Sequence, residues 1–202
     1  MKPRVLLLGD SIRLSYQPGV TARLADRAQV TGPADNGRFA LYTLARLGAW
    51  LEECGRPDVV HWNNGLWDLG RHPDRRPEQI PVEDYVGNLS FILARLRATG
   101  AVVIWRNTTP VRPDRGWRDQ WLFEPDAIAR YNDAAQRLME REGVPCHDLH
   151  GLVRARADDF LDTDGVHLNP AGREACAAAT VEFLEPWLGS LASRPSPEPD
   201  RA

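Results

Sequence analysis

Two short stretches at opposite ends of the chain carry residue types that could act together on a carbonyl carbon. Gly9-Asp10-Ser11 ends an apolar run near the amino terminus, and Asp164-Gly165-Val166-His167 stands just before a helix-opening proline, Pro170. A serine hydroxyl is a poor nucleophile until a base takes its proton, and a neutral imidazole does this best near pH 7. That imidazole must in turn be held in one tautomer by a carboxylate on its other nitrogen. Asp164 and His167, three residues apart, can meet through one tight turn. A plainer reading stands beside this one. Asp10 and Ser11 are also good helix caps, and Asp-x-x-His alone is a common pattern.

The surrounding elements decide whether these residues can meet. Val5-Leu6-Leu7-Leu8 has no polar alternation, as expected of a strand buried on both faces of a parallel sheet. Further strands are predicted over 28–33, 58–65, 101–105 and, more weakly, 144–149. Helical periodicity covers 19–27, the stripe Phe39, Leu41, Leu44, Leu47, Leu51, and residues 82–99, 126–142 and 170–188. Strands alternating with helices make βαβ units, and right-handed crossovers give a three-layer α/β sandwich. Such a sheet places ligands at the carboxyl ends of its strands. Four polar patches should converge there: Gly9-Asp10-Ser11, Asn36-Gly37, the stretch from Asn63 to Asp68, and the loop with Asp164 and His167.

The order and spacing of these patches resemble the SGNH/GDSL hydrolase family over residues 4–187. The matching blocks are Gly9-Asp10-Ser11, Gly37, a third-strand block ending in Asp68, and Asp164-Gly165-Val166-His167-Leu168-Asn169-Pro170. The resemblance implies a flavodoxin-like five-stranded parallel sheet of order 2-1-3-4-5. It implies Ser11 as nucleophile, His167 as base and Asp164 as the carboxylate that orients it. It further implies an oxyanion hole built from the backbone N–H groups of Ser11 and Gly37 and a side chain of the third block. There the sequence departs from the family's usual Gly-x-Asn-Asp, because alignment on Gly65 and Asp68 puts Trp67 at the Asn position. Asn64 is taken as the replacement donor, with Asn63 or the Trp67 indole N–H as alternatives. Asp10, Asn36, Asn63, Gly65 and Trp105 are expected to line the substrate cleft. The chain has no Gly-x-Ser-x-Gly elbow, and its candidate nucleophile follows the first strand, unlike an α/β-hydrolase.

Other chemistry-bearing residues have ordinary readings. His61 falls mid-strand and reads as a hydrogen-bonded core residue. His147 and His150 flank a strand end that directs neighbours to opposite faces, which does not suit a metal. Trp50 and Trp187 fit helix faces packed on the sheet. Trp62, Trp67, Trp105, Trp117 and Trp121 fall near the expected mouth, where they either stack on a sugar or aromatic group or pack two long loops together. Arg106, Arg112, Arg115 and Arg118 either attract an anionic substrate or belong to a solvated loop.

With 202 residues the chain reads as one domain over 1–190 followed by a Pro-rich, charged tail over 191–202. A net charge of −3 with scattered Lys and Arg argues against a nucleic-acid partner. No apolar run is long enough to span a bilayer, and no signal peptide is evident before the first strand. Three dispersed cysteines suit a reducing, cytoplasmic setting. The expected function is a serine esterase acting on a small acyl ester, such as O-acetyl on a sugar or a similar polar metabolite, with neither metal nor cofactor. A non-catalytic ligand-binding module on the same fold, or an acyltransferase using the same residues, are the alternatives.

Overall fold

The computed structural model describes residues 2–75, 78–115 and 121–192. Trp117, Arg118 and the stretch read as a tail from residue 193 onward lie outside the described residues. Five strands, β1 (Arg4–Leu8), β2 (Gln29–Thr31), β3 (Val59–Trp62), β4 (Val102–Arg106) and β5 (Cys146–His147), form one sheet of order β2-β1-β3-β4-β5. Every pairing is parallel. The helices are α1 (Ser11–Leu24), α2 (Ala40–Cys54), α3 (Leu66–Leu69), α4 (Val82–Arg97), α5 (Pro125–Arg141), α6 (Leu149–Arg154), α7 (Ala157–Phe160) and α8 (Pro170–Ala192).

Alternation along each central strand divides the apolar residues between two cores. Leu6, Leu8, Val60, Trp62, Val103 and Trp105 face a layer made by α2, α4 and α5, with Leu47, Trp50, Leu89, Ile92, Tyr131 and Leu138 opposite them. Val5, Leu7, Val59 and Ile104 face α1 and α8, against Ile12, Tyr16, Val20, Leu184 and Leu188. Each of these buried side chains contributes on the order of 1.5–3 kcal/mol through removal from water. The result is the expected three-layer sandwich with the expected strand order.

Two local readings differ from the expectation. Helical periodicity is legible only over 19–27, but the first helix is continuous from Ser11 to Leu24 and carries Pro18 inside it. Ile12, Tyr16, Val20 and Leu24, each one helical turn apart and all buried, hold it against the sheet and outweigh the proline. The stretch after β3 was expected to be loop but opens with the short helix α3, which follows a turn at Gly65 with φ +151°. A Cβ on Gly65 would lie 2.2 Å from the Thr108 hydroxyl, so only glycine allows this turn. The three cysteines are unpaired thiols.

Candidate active site

The turn that carries Ser11 is built by its neighbours. Asp10 is the cap of α1, its carboxylate accepting from the Ile12 N–H at 3.0 Å. Ser11 is therefore the first helical residue, and its own N–H is one of the donors that a helix leaves without an internal partner. Capping and presentation of Ser11 are thus divided between two residues. Asp10 is 2 % exposed and serves the helix, not the cleft where it was expected.

The Ser11 hydroxyl lies 3.0 Å from His167 Nε2, across 156 residues of sequence. On the other side of the ring, His167 Nδ1 lies 2.8 Å from Asp164 Oδ2. The second carboxylate oxygen of Asp164 accepts from the backbone N–H groups of Val166 at 2.8 Å and His167 at 2.9 Å. One carboxylate thus shapes the turn and orients the imidazole that the turn carries. Partial burial pushes the Asp164 carboxyl up, but the hydrogen bonds from the His167 ring and the two N–H groups outweigh it and hold it below its ordinary value.

The loop with Asp164 and His167 is fixed from several sides. His167 O accepts from Asp162 N–H at 2.7 Å, and Leu161 bridges Leu168. Gly165 O accepts from Arg112 N–H at 2.7 Å, and Arg115 donates to the carbonyls of Leu161 at 2.9 Å and Asp162 at 3.1 Å. Arg112 and Arg115 both pair with Asp158. These arginines brace the loop and are not free to meet an anion. Asn169 then caps α8, accepting from Gly172 N–H at 2.9 Å.

The Asn36-Gly37 loop is pressed against the Ser11 turn. A Cβ on Gly37 would stand 2.7 Å from Gly9 O, so the approach requires glycine. Fully buried Arg13 ties the two together, donating to Gly9 O at 3.3 Å, Pro33 O at 2.9 Å and Asp35 O at 3.0 Å. The Gly37 N–H, expected to face an oxyanion, instead donates to Gly9 O at 3.0 Å. The carbonyl beside it is the nearest acceptor and turns the amide inward.

The third block also differs from expectation. Asn64 is buried, with both amide hydrogens engaged by Arg38 O at 3.1 Å and Thr43 Oγ1 at 2.9 Å, while its oxygen accepts from the Trp62 indole at 2.8 Å. It has no donor left for a ligand. Asn63 is buried too, donating to Arg106 O at 2.8 Å, Asn64 O at 3.1 Å and Thr108 Oγ1 at 3.3 Å. Trp105 is fully buried and packs edge-on against Trp62, ring centroids 4.8 Å apart. Both rings fill the core instead of the mouth, because they occupy strand positions that point into the α2–α4–α5 layer. Gly65 shapes the turn behind the cleft and does not line it.

Ser11 and His167 open into a cavity of about 500 Å³. Trp67, Trp121 and Phe123 form aromatic walls, Leu66 and Val166 aliphatic ones, and Asn36 and Gln79 add the two side-chain amides. Among the described residues no carboxylate, Lys or Arg lines it. Sequence reasoning missed Gln79 and Phe123, which have no periodic signal. They reach the site because Arg71 and Leu122 bridge two long loops, and because Gln79 N–H donates to Gly70 O at 2.9 Å. Among the described residues no group of three His, Cys, Asp or Glu is placed to hold a metal ion. His61 is the core residue it was read as, its Nε2 3.0 Å from His147 Nδ1.

The fold is shared with enzymes of known structure. An acetyl xylan esterase is 18% identical, with TM-score 0.74 and coverage of 90% of this chain and 99% of that one. A lipase/acylhydrolase from Enterococcus faecalis is 22% identical, with TM-score 0.75 and coverage of 92% and 96%. An α/β hydrolase from the metagenome of Lake Arreo is 20% identical, with TM-score 0.71 and coverage of 95% and 98%. No curated protein sequence matches the chain. A family profile does match, over residues 7–175, from the end of β1 through the Ser11 turn and on past the loop with Asp164 and His167. By that match the chain belongs to the GDSL-like lipase/acylhydrolase family.

Proposed function

We propose that the protein is a serine esterase that hydrolyses a neutral acyl ester by way of an acyl-enzyme. The observation that carries this reading is the chain of contacts from the Ser11 hydroxyl to His167 at 3.0 Å and from His167 to Asp164 at 2.8 Å, at the edge of a cavity with aromatic and aliphatic walls.

In this reading Ser11 Oγ attacks the ester carbonyl carbon as its proton passes to His167 Nε2. The carbonyl oxygen becomes an oxyanion beside the Ser11 N–H at the amino terminus of α1, where the aligned peptide dipoles favour negative charge. Collapse breaks the bond to the alcohol oxygen, which takes the proton from His167 and leaves. Water then gives a proton to His167 as its oxygen attacks the acyl carbon, the bond from that carbon to Ser11 Oγ breaks, Oγ takes the proton back from His167, and the acid departs. Asp164 keeps Nδ1 protonated throughout, so that Nε2 faces Ser11 as the acceptor.

The lining supports a neutral substrate, because among the described residues a carboxylate or phosphate would meet no cationic side chain beyond His167. Three aromatic walls suit the faces of a sugar ring, and an O-acetylated sugar is the substrate class we put first. Turnover of p-nitrophenyl acetate and of acetylated sugars by wild-type protein, with Ser11→Ala and His167→Ala each lowering kcat by at least about 1,000-fold, is the expected result. Wild-type protein inert toward every short-chain ester would contradict the proposal.

A further inference from the structure

With Gly37 N–H, Asn63 and Asn64 engaged elsewhere, the esterase reading leaves the Ser11 N–H alone at the oxyanion. Backbone donors at a helix start rarely suffice by themselves, and a missing donor costs about 100-fold or more in kcat. Four residues lining the cavity that holds Ser11 and His167 carry side-chain N–H groups, Asn36, Gln79, Trp67 and Trp121, and of these Asn36 alone belongs to the loop pressed against the Ser11 turn through Gly37 and Gly9.

We infer that Asn36 is a catalytic residue whose side-chain Nδ2 donates to the oxyanion in place of the family's third-block asparagine. Asn36 immediately precedes Gly37, whose N–H is 3.0 Å from Gly9 O, two residues before the nucleophile. Its oxygen is already fixed, accepting from Arg38 N–H at 2.8 Å, and this sets the plane of the amide. Its nitrogen has no partner among the described residues, and the residue lines the same cavity as Ser11. The loop beneath cannot drift. Arg13 holds the carbonyls of Pro33 and Asp35, and the Tyr42 hydroxyl donates to Asp35 Oδ2 at 2.6 Å. A donor held this rigidly needs no reorganisation when the charge develops. Trp67 is 37% exposed on the short helix α3, and its ring serves as a wall.

The proposal rests on the esterase reading, and its test separates the two. Asn36→Asp keeps the oxygen that Arg38 bonds but removes the donor. Asn36→Ala removes both without adding charge. Steady-state kinetics with p-nitrophenyl acetate should show both variants with kcat lowered about 100-fold, KM within about threefold and unfolding midpoints close to wild type. Trp67→Phe should keep kcat within about fivefold. Wild-type kcat in either Asn36 variant overturns the assignment, as does a 100-fold loss confined to Trp67→Phe; in both cases an active wild type leaves the esterase reading standing. A wild type that neither turns over esters nor labels at Ser11 overturns both.

Discussion

The Asn64 amide donates to the Thr43 hydroxyl at 2.9 Å, and Thr43 in turn donates to Gly37 O at 2.8 Å. This relay joins the end of β3 to the loop pressed against the Ser11 turn, so that Asn64 holds that loop in place. Asn64→Ala would leave the buried Trp62 indole N–H without its acceptor and remove the donor to the Thr43 hydroxyl. Urea unfolding should show a loss of about 2–3 kcal/mol. A large fall in kcat at unchanged stability would instead put the Asn64 amide on the oxyanion.

Arg13 is the second brace. Its planar fork reaches three backbone carbonyls and the Gln17 side chain, a geometry that a lysine ammonium does not reproduce. Arg13→Lys should fold less stably and lower kcat by roughly 10- to 100-fold, because the Asn36 loop loses its fixed distance from Ser11. Unchanged kcat in a folded Arg13→Lys protein would show that the loop holds itself.

Asp68 provides a test on the alkaline side. Its carboxyl is fully buried, accepts from Ala40 N–H at 2.8 Å, and is pushed up to about 8, by burial first and by Asp10 as well. In the unfolded chain the group ionises near 3.8. Between those values the folded state holds a proton that the unfolded state has lost, so this contribution to stability falls as pH rises from about 4 to about 8. An asparagine side chain in its place would mimic the protonated form and still accept from Ala40. Asp68→Asn should therefore gain on wild type with rising pH across that window, at most about 1.4 kcal/mol per pH unit. Melting curves at several pH values check this, and a gap that does not widen would mean the carboxylate is ionised in the fold.

The buried pair His61 and His147 acts with the opposite sign. Burial lowers both, His147 to about 4 and His61 well below its ordinary value, with Arg106 and, for His61, His147 adding to the effect. Stability from this pair is full above about 6.5 and is lost as pH falls toward 4, where the unfolded chain takes up protons that the core refuses. A His61→Leu, His147→Leu double variant removes both titrations without leaving one ring nitrogen alone. Its stability should vary less with pH between 6.5 and 4 than that of wild type, as measured by thermal melts.

The sheet was legible because Val5 to Leu8 and Val102 to Trp105 are apolar without alternation, and because helices separate them at regular intervals. The sequence also pointed to Ser11, Asp164 and His167, whose types and order carry the family resemblance. The donors were a different matter. Whether Gly37 N–H or Asn64 Nδ2 faces the cleft depends on which acceptor lies nearest after folding, and Gly9 O, Arg38 O and Thr43 Oγ1 come from segments distant in sequence. Trp105 was misplaced for a similar reason. It follows the mouth-facing pattern in sequence, yet strand alternation turns its ring into the core beside Trp62. Pro18 obscured the start of α1, which packing with α8 secures.

The central claim is that Ser11 is the nucleophile. Wild-type protein treated with a fluorophosphonate should gain one adduct, and peptide mass spectrometry should place it on Ser11. Ser11→Ala should gain none and should release no acid from p-nitrophenyl acetate. An adduct on another residue, or ester turnover that survives Ser11→Ala, would contradict the account.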